Sequence, residues 1–222
     1  IDGRLQTKRW TAPAKNISRS ALMGQYEKTA SKMDAPAWLV GRHTMDEITG
    51  LAPWPDADVQ TREWPRAPFL GERKGRHLAI VMDLHGRRTY ASDEIDGDHA
   101  TAILGYDVPD SYLSRLRACG VSYLFAASGE NGLQKAMEDL RSHFGVTSLL
   151  VEGGGITNGL FLKANLIDEI SLLVYPGLDG LSGEPSIFEY PGKSGDQPAE
   201  GQILTLLSSE TLPGGMLWLR YG

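Results

Sequence analysis

The chain has 222 residues, 41% of them hydrophobic and 23% charged, a balance ordinary for a globular protein with one sizeable core. A net charge of −6 repels a phosphate backbone, so no nucleic-acid partner is expected. The one cysteine, Cys119, rules out an internal disulfide or a cysteine-rich metal site, and it reads as a small core residue.

No apolar run approaches the ~20 residues of a membrane span, and no signal peptide is seen, so the expected location is cytoplasmic. The opening Ile1-Asp2-Gly3-Arg4 reads as the middle of a longer segment. Arg4, Lys8, Arg9 and Lys15 form a basic cluster around Trp10. Asn16-Ile17-Ser18 offers a cap for a helix over 20–33, spaced through Leu22, Tyr26, Ala30 and Met33 and closed by Pro36. Ala37 to Val40 reads as a buried strand entering Gly41-Arg42-His43-Thr44, a glycine turn that opens a second helix.

Between Gly50 and Gly75 lie Pro53, Pro55, Pro65 and Pro68 with Trp54 and Trp64. Such long connections are often functional, and a proline-stiffened surface excursion is the competing reading. Strands are predicted over 78–84, 100–104 and 123–127, with helices over 110–119 and 133–144 and a cap at Gly145. From Ser148 the chain runs strand, Gly153-Gly154-Gly155, then a helix carrying Leu160, Phe161, Leu162, Leu166 and Ile167, and a further strand spans Ile170 to Tyr175. A unit of that kind builds a parallel sheet. Two β-runs, 203–208 and 216–221, flank Leu212-Pro213-Gly214-Gly215 as an antiparallel hairpin. Alternation of strand and helix therefore predicts a three-layer α/β fold with a mostly parallel central sheet and a C-terminal antiparallel hairpin. Without repeats or linkers, 1–222 reads as a single domain.

Glycines at a strand-to-helix turn let a ligand approach the backbone, and the amides opening the helix favour an anion. A tight connection alone would also explain three glycines. Two such turns in one parallel sheet, 41–44 and 153–155, suit a ligand with more than one phosphate. Arg42 is poorly placed for the helix dipole, so an anionic partner helps explain it. Arg42 with Thr44 matches what a 2′-phosphate requires. Glu152 ends its strand, where open α/β sheets place ligands. His43, His77, His85, His99 and His143 lack metal-binding spacing, so no metal is expected, and the zinc-deaminase signature is absent.

Glu152-Gly153-Gly154-Gly155, followed by Leu160, Leu162, Leu166 and Ile167-Asp168-Glu169, resembles the NADPH-binding core of the riboflavin-biosynthesis pyrimidine reductases. These include the reductase half of the bifunctional deaminase–reductase and belong to the dihydrofolate reductase-like superfamily. Ile1-Asp2-Gly3-Arg4, Trp10-Thr11, Val81-Met82-Asp83 with Gly86-Arg87, and Pro176 to Gly180 resemble further family segments. Gly41-Arg42-His43-Thr44 resembles the Gly-Arg-x-Thr of dihydrofolate reductases. In two places the pattern differs: Ile48 stands where the family has an aspartate, with Asp46 and Glu47 close, and the segment before Trp10 is shortened to Gln6-Thr7-Lys8-Arg9.

The resemblance implies hydride transfer from NADPH to the ribose C1 of an aminopyrimidine ribotide. It also implies a homodimer. Gly153, Gly154, Gly155, Ile156, Thr157, Asn158 and Leu160 would hold the pyrophosphate, with Arg42 and Thr44 near the adenosine phosphate. Glu152 and Asp2 would be the catalytic residues, and together with Trp10 would contact the substrate. Two other readings stay open within the fold: a paralogous NADPH reductase of another small heterocycle, and a non-catalytic nucleotide binder. An unrelated α/β protein is disfavoured because neither a Rossmann nor a P-loop fingerprint is present.

Overall fold

The computed structural model describes residues 2–12, 17–127 and 130–222. The expectations for Ile1, Lys15 and Asn16 lie outside the described residues. In chain order the main elements are α1 (Arg19–Ala30), β1 (Ala37–Gly41), α2 (Arg42–Thr49), β2 (Leu78–Met82), β3 (Glu94–Ile95), β4 (Asp98–Leu104) and α3 (Asp110–Ala118). There follow β5 (Ser122–Phe125), α4 (Glu130–Phe144), β6 (Leu150–Val151), α5 (Gly155–Lys163), β7 (Ile170–Val174), β8 (Leu206–Leu212) and β9 (Met216–Tyr221). The chain divides into two compact units, Ala35–Thr157 and Ile1–Asp34 with Asn158–Gly222.

In the unit 35–157 the strands β6, β1, β2, β4 and β5 lie side by side in that order, all parallel. The registers include Leu39 opposite Val151, Gly41 opposite Met82 and Leu78 opposite His99. All five residues of β2 are buried, as a strand covered on both faces requires. The core on one face joins Val40, Met45, Val81, Leu104, Leu113 and Leu116. Short β3, which periodicity did not predict, pairs antiparallel with β4 through Glu94–His99 and Ile95–Asp98. Gly145 adopts φ 67° and donates to the Arg141 carbonyl at 3.1 Å, capping α4 as expected.

The proline- and tryptophan-rich segment 50–75 packs on α3 and the outer edge of β5. Phe69 and Tyr123 exchange both backbone hydrogen bonds, at 2.9 and 3.0 Å, which covers that edge. The Trp64 indole donates to Ser114 Oγ at 2.8 Å, and the Arg117 guanidinium lies 3.8 Å from the Trp64 ring centroid and 4.1 Å from that of Phe69. Beneath it His99 is fully buried. Arg76 can only donate, so His99 Nδ1 accepts from it at 3.1 Å; His99 Nε2–H then donates to Ser122 Oγ at 2.7 Å, which also accepts the Gly71 amide at 2.9 Å. Cys119 is half-buried against the core, and its thiol reaches the Tyr90 carbonyl at 3.4 Å.

In the other unit α1 is capped by Ser18, whose Oγ accepts the Ala21 amide at 3.1 Å. It continues as a 3-10 turn over Ser31–Met33 that ends at Asp34 in the left-handed region. Leu22 packs with Tyr175, Leu212, Met216 and Trp218, flanked by Trp10, Ile17, Met33 and Leu173.

Here three expectations are corrected. The strand 170–174 does not join the parallel sheet through a strand–helix–strand crossover; β7 pairs antiparallel with β9, in a separate sheet ordered β7-β9-β8. The two-residue β6 offers a short ladder, whereas β9 offers five pairs, from Ile170–Tyr221 to Val174–Leu217. The first arm of the hairpin runs over Leu206–Leu212 rather than 203–208, because its partner β9 is fixed from Met216 to Tyr221. The helix after the triple glycine stops at Lys163, so Leu166 and Ile167 follow it rather than lie on it.

Candidate active site

In parallel sheets the strand C-termini and the helix N-termini that follow them share one end. Because β1 and β6 are neighbours, the two glycine turns meet there. The Gly41 amide donates to the Gly153 carbonyl at 2.7 Å, and the Gly154 amide donates to Thr44 Oγ1 at 3.0 Å. Gly153 is at φ 100°, accessible essentially to glycine alone, and the Gly153–Gly154 peptide is cis. A Cβ on Gly41 would lie 2.6 Å from the Oγ1 of buried Thr157, so the first turn of α5 closes directly on β1.

Residues 153 to 155 carry no Cβ, which leaves the N-terminus of α5 bare of side chains; first-turn amides have no partner within their own helix. Ile156 is exposed. Asn158 Nδ2 donates to the Ile187 carbonyl at 2.8 Å, within the unit it shares with Leu160. Glu152 follows β6, its amide extending the ladder to the Leu39 carbonyl at 2.8 Å, and the residue is half-buried.

Arg42 opens α2 and its Nη1 reaches Asp46 Oδ2 at 2.8 Å, one turn on. The same carboxylate takes Arg88 Nη1 through Oδ1 at 2.5 Å, and Arg88 Nη2 donates to Thr49 Oγ1 at 2.8 Å. Arg88 is only 3% exposed. Its amide and that of Arg87 donate to Asp83 Oδ2 at 2.8 and 2.7 Å, and the Tyr112 hydroxyl donates to the Arg88 carbonyl at 2.7 Å. Burial pushes the Tyr90 and Tyr112 hydroxyls far above their usual pKa, with the Asp83 charge adding to it. Two guanidiniums thus share the Asp46 carboxylate, while the Asp83 carboxylate is held by the backbone amides of Arg87 and Arg88. The Arg42 guanidinium and the open helix terminus fit a phosphate-bearing nucleotide.

In the other unit the Asp2 carboxylate accepts the amides of Gly180 at 2.7 Å and Asp179 at 3.1 Å. These bonds, the Gly180 one above all, hold its pKa below the usual value. Trp10 stacks on Tyr175 with centroids 4.8 Å apart, and its indole donates to the Arg4 carbonyl at 3.1 Å. Arg9 bridges Asp179 at 2.8 Å and Glu184 at 2.6 Å. Among the described residues no three His, Cys, Asp or Glu side chains cluster as metal ligands, and no helix is long and apolar enough to cross a membrane.

The structure therefore joins Arg42, Thr44, Gly153, Gly154, Gly155 and Thr157 in one assembly. Arg88 was not anticipated, and Asp83 was noted only as part of a family-like segment, without a role at this site. A double arginine after a turn carries no periodic signal, and only burial distinguishes Arg88 from its exposed neighbour Arg87.

Comparison with known families now adds to this geometry. The family model described as "RibD C-terminal domain" matches residues 1–218, so the chain belongs to that family. A pyrimidine reductase-like protein of Corynebacterium diphtheriae superimposes with a TM-score of 0.59 at 17% identity, covering 84% of this chain and 75% of that one. RibD of Acinetobacter baumannii gives 0.61 at 20% identity, over 100% of this chain and 54% of its own. The diaminohydroxyphosphoribosylaminopyrimidine deaminase/5-amino-6-(5-phosphoribosylamino)uracil reductase of Thermotoga maritima gives 0.57 at 14%, over 100% and 53%. The chain thus spans about half the length of the last two. At these identities the likeness is one of fold, the dihydrofolate reductase-like α/β fold. Comparison with curated protein sequences returns no match.

Proposed function

We propose that the chain is an NADPH-dependent oxidoreductase that reduces the ribose C1 of an aminopyrimidine ribotide, as family membership suggests. The observation that carries the reading is the interlock of the two glycine turns, Gly41 to Gly153 and Gly154 to Thr44, beside the Arg42 guanidinium. When bound, NADPH supplies the hydride. The chain's own work is to hold the pyrophosphate at the N-terminus of α5, from Gly153 to Leu160, and the adenosine phosphate near Arg42 and Thr44. Glu152, which directly precedes that cradle in the chain, hydrogen-bonds substrate and organises the proton that the opened sugar takes up. For Asp2 and Trp10 a substrate-side role rests on the family resemblance. The reading takes the chain as one reductase domain of the cytoplasm.

The test is loss of absorbance at ~340 nm with 5-amino-6-(5-phosphoribosylamino)uracil, for wild type and Glu152→Gln. Turnover that Glu152→Gln lowers by about 100-fold, with nucleotide binding retained, supports the assignment. Failure of wild type to bind either NADPH or NADH sinks it. One observation favours a second reading, a paralogue with another small heterocyclic substrate: Ile48, 57% exposed, replaces the family's aspartate. Turnover of other ribotides but not this one would select it.

We also propose a homodimer. Ile203, Leu204, Leu206 and Leu207 are 86%, 60%, 54% and 54% exposed on and beside β8, an edge strand of its sheet among the described residues. Sedimentation at micromolar concentration should show two copies, reduced to one by Leu207→Asp.

A further inference from the structure

The charge that sets apart the candidate cofactor corner depends on a residue that does not itself line the glycine turns. Arg42 and Asp46 alone, four residues apart on α2, would form a neutral pair. A neutral pair has little to offer a phosphate dianion. Arg88 changes that balance. It is buried, its backbone is fixed by Asp83 and Tyr112, and its guanidinium spans Asp46 Oδ1 and Thr49 Oγ1. A buried guanidinium needs a carboxylate, and the one bonded to it among the described residues is Asp46. With one oxygen of Asp46 committed to Arg88, the other orients Arg42 without cancelling its charge.

We infer that Arg88 is a positioning and specificity-determining residue: by engaging Asp46 it keeps that carboxylate from fully neutralising Arg42 and so sets the preference for a nucleotide bearing a 2′-phosphate. The inference rests on the nucleotide reading above and names the part of the chain that decides between the two nicotinamide cofactors. Arg88 acts through Asp46 and Arg42 and needs no contact with the ligand. Two substitutions then have opposite signs. Arg88→Met leaves Arg42 neutralised by Asp46, and Asp46→Asn removes the carboxylate that both guanidiniums share.

The experiment titrates NADPH, NADH and 2′,5′-ADP into wild type, Arg88→Met, Arg88→Lys and Asp46→Asn, read by quenching of tryptophan fluorescence. Arg88→Met should weaken NADPH and 2′,5′-ADP by about tenfold, the scale of one partly screened charge, and leave NADH within about twofold. Arg88→Lys should stay near wild type, because the charge is kept. Asp46→Asn should tighten the 2′-phosphate ligands and leave NADH unchanged, and it keeps the test open if Arg88→Met does not fold. Equal weakening of all three ligands by Arg88→Met, or weaker 2′,5′-ADP binding by Asp46→Asn, would overturn the inference as a merely structural effect. A wild type that binds NADH as well as NADPH would defeat it differently, since the 2′-phosphate reading itself would then have failed.

Discussion

Gly41→Ala tests whether β1 and α5 are as close as the structure has them. The backbone at Gly41, φ −68° and ψ 154°, suits any residue, so no strain arises there. By itself, replacing glycine with alanine at such a position stabilises by about 0.4–1 kcal/mol through the unfolded chain. Against this, the new Cβ would sit 2.6 Å from Thr157 Oγ1, about 0.8 Å inside ordinary contact. Thr157 is 6% exposed and β-branched, so it has few rotamers to retreat into. Overpacking of this kind costs about 1–3 kcal/mol, which outweighs the entropic gain. Net destabilisation of up to about 2 kcal/mol should lower the melting midpoint by ~2–8 °C for a chain of this size. In a Thr157→Ala background the obstacle is gone, and the same Gly41→Ala should become neutral or stabilising. Urea or thermal unfolding of the four proteins in this double-mutant cycle measures the sign change. An equal loss from Gly41→Ala in both backgrounds would refute the argument.

Thr44→Val removes the acceptor of the Gly154 amide and should cost about 1 kcal/mol in stability by chemical unfolding, with weaker nucleotide binding if the turn loosens. Burial, aided by the Arg76 charge and opposed by Asp93, depresses the pKa of His99 below 6.5, so the native state holds it neutral. Stability from this group is complete above pH 6.5 and is lost as pH falls through 6.5 toward the folded value, because the unfolded chain binds the proton more readily. Urea midpoints measured from about pH 8 down to about pH 5 should show that fall, and His99→Gln should flatten it. Asp2 has the opposite sense: its depressed carboxyl holds the Asp179–Gly180 amides above its unfolded pKa and releases them as pH falls through the folded one. Asp2→Ala should speed hydrogen exchange of the Gly180 amide at neutral pH.

Much of the fold was legible because single strands and helices carry local signals. Mostly apolar runs marked β2 and β4, apolar residues at helical spacing marked α3 and α4, and the strand–glycine–helix pattern marked both turns. What stayed hidden depended on partners distant in sequence. Residues 170–174 read alike as a parallel or an antiparallel strand, and the choice was made by a better ladder on β9. The segment 50–75 read equally as a functional loop or a proline-stiffened excursion, and Trp64 and Phe69 commit their apolar surface and backbone bonds to α3 and β5. No period in the sequence reports that.

The candidate site shows the same division. The glycines and Arg42 were visible in the sequence, as two glycine turns in one parallel sheet and a cation at a helix N-terminus. Asp46 and Arg88, 42 residues apart, acquire meaning only from register. Gly41 lies opposite Met82, so α2 starting at Arg42 and the turn starting at Asp83 leave the sheet at the same level. That alignment brings a carboxylate from the one against a guanidinium from the other. Parallel pairing therefore does more than build the core: it gathers the polar residues following each strand at one end, where a pair unrelated in sequence can set the charge of a third residue.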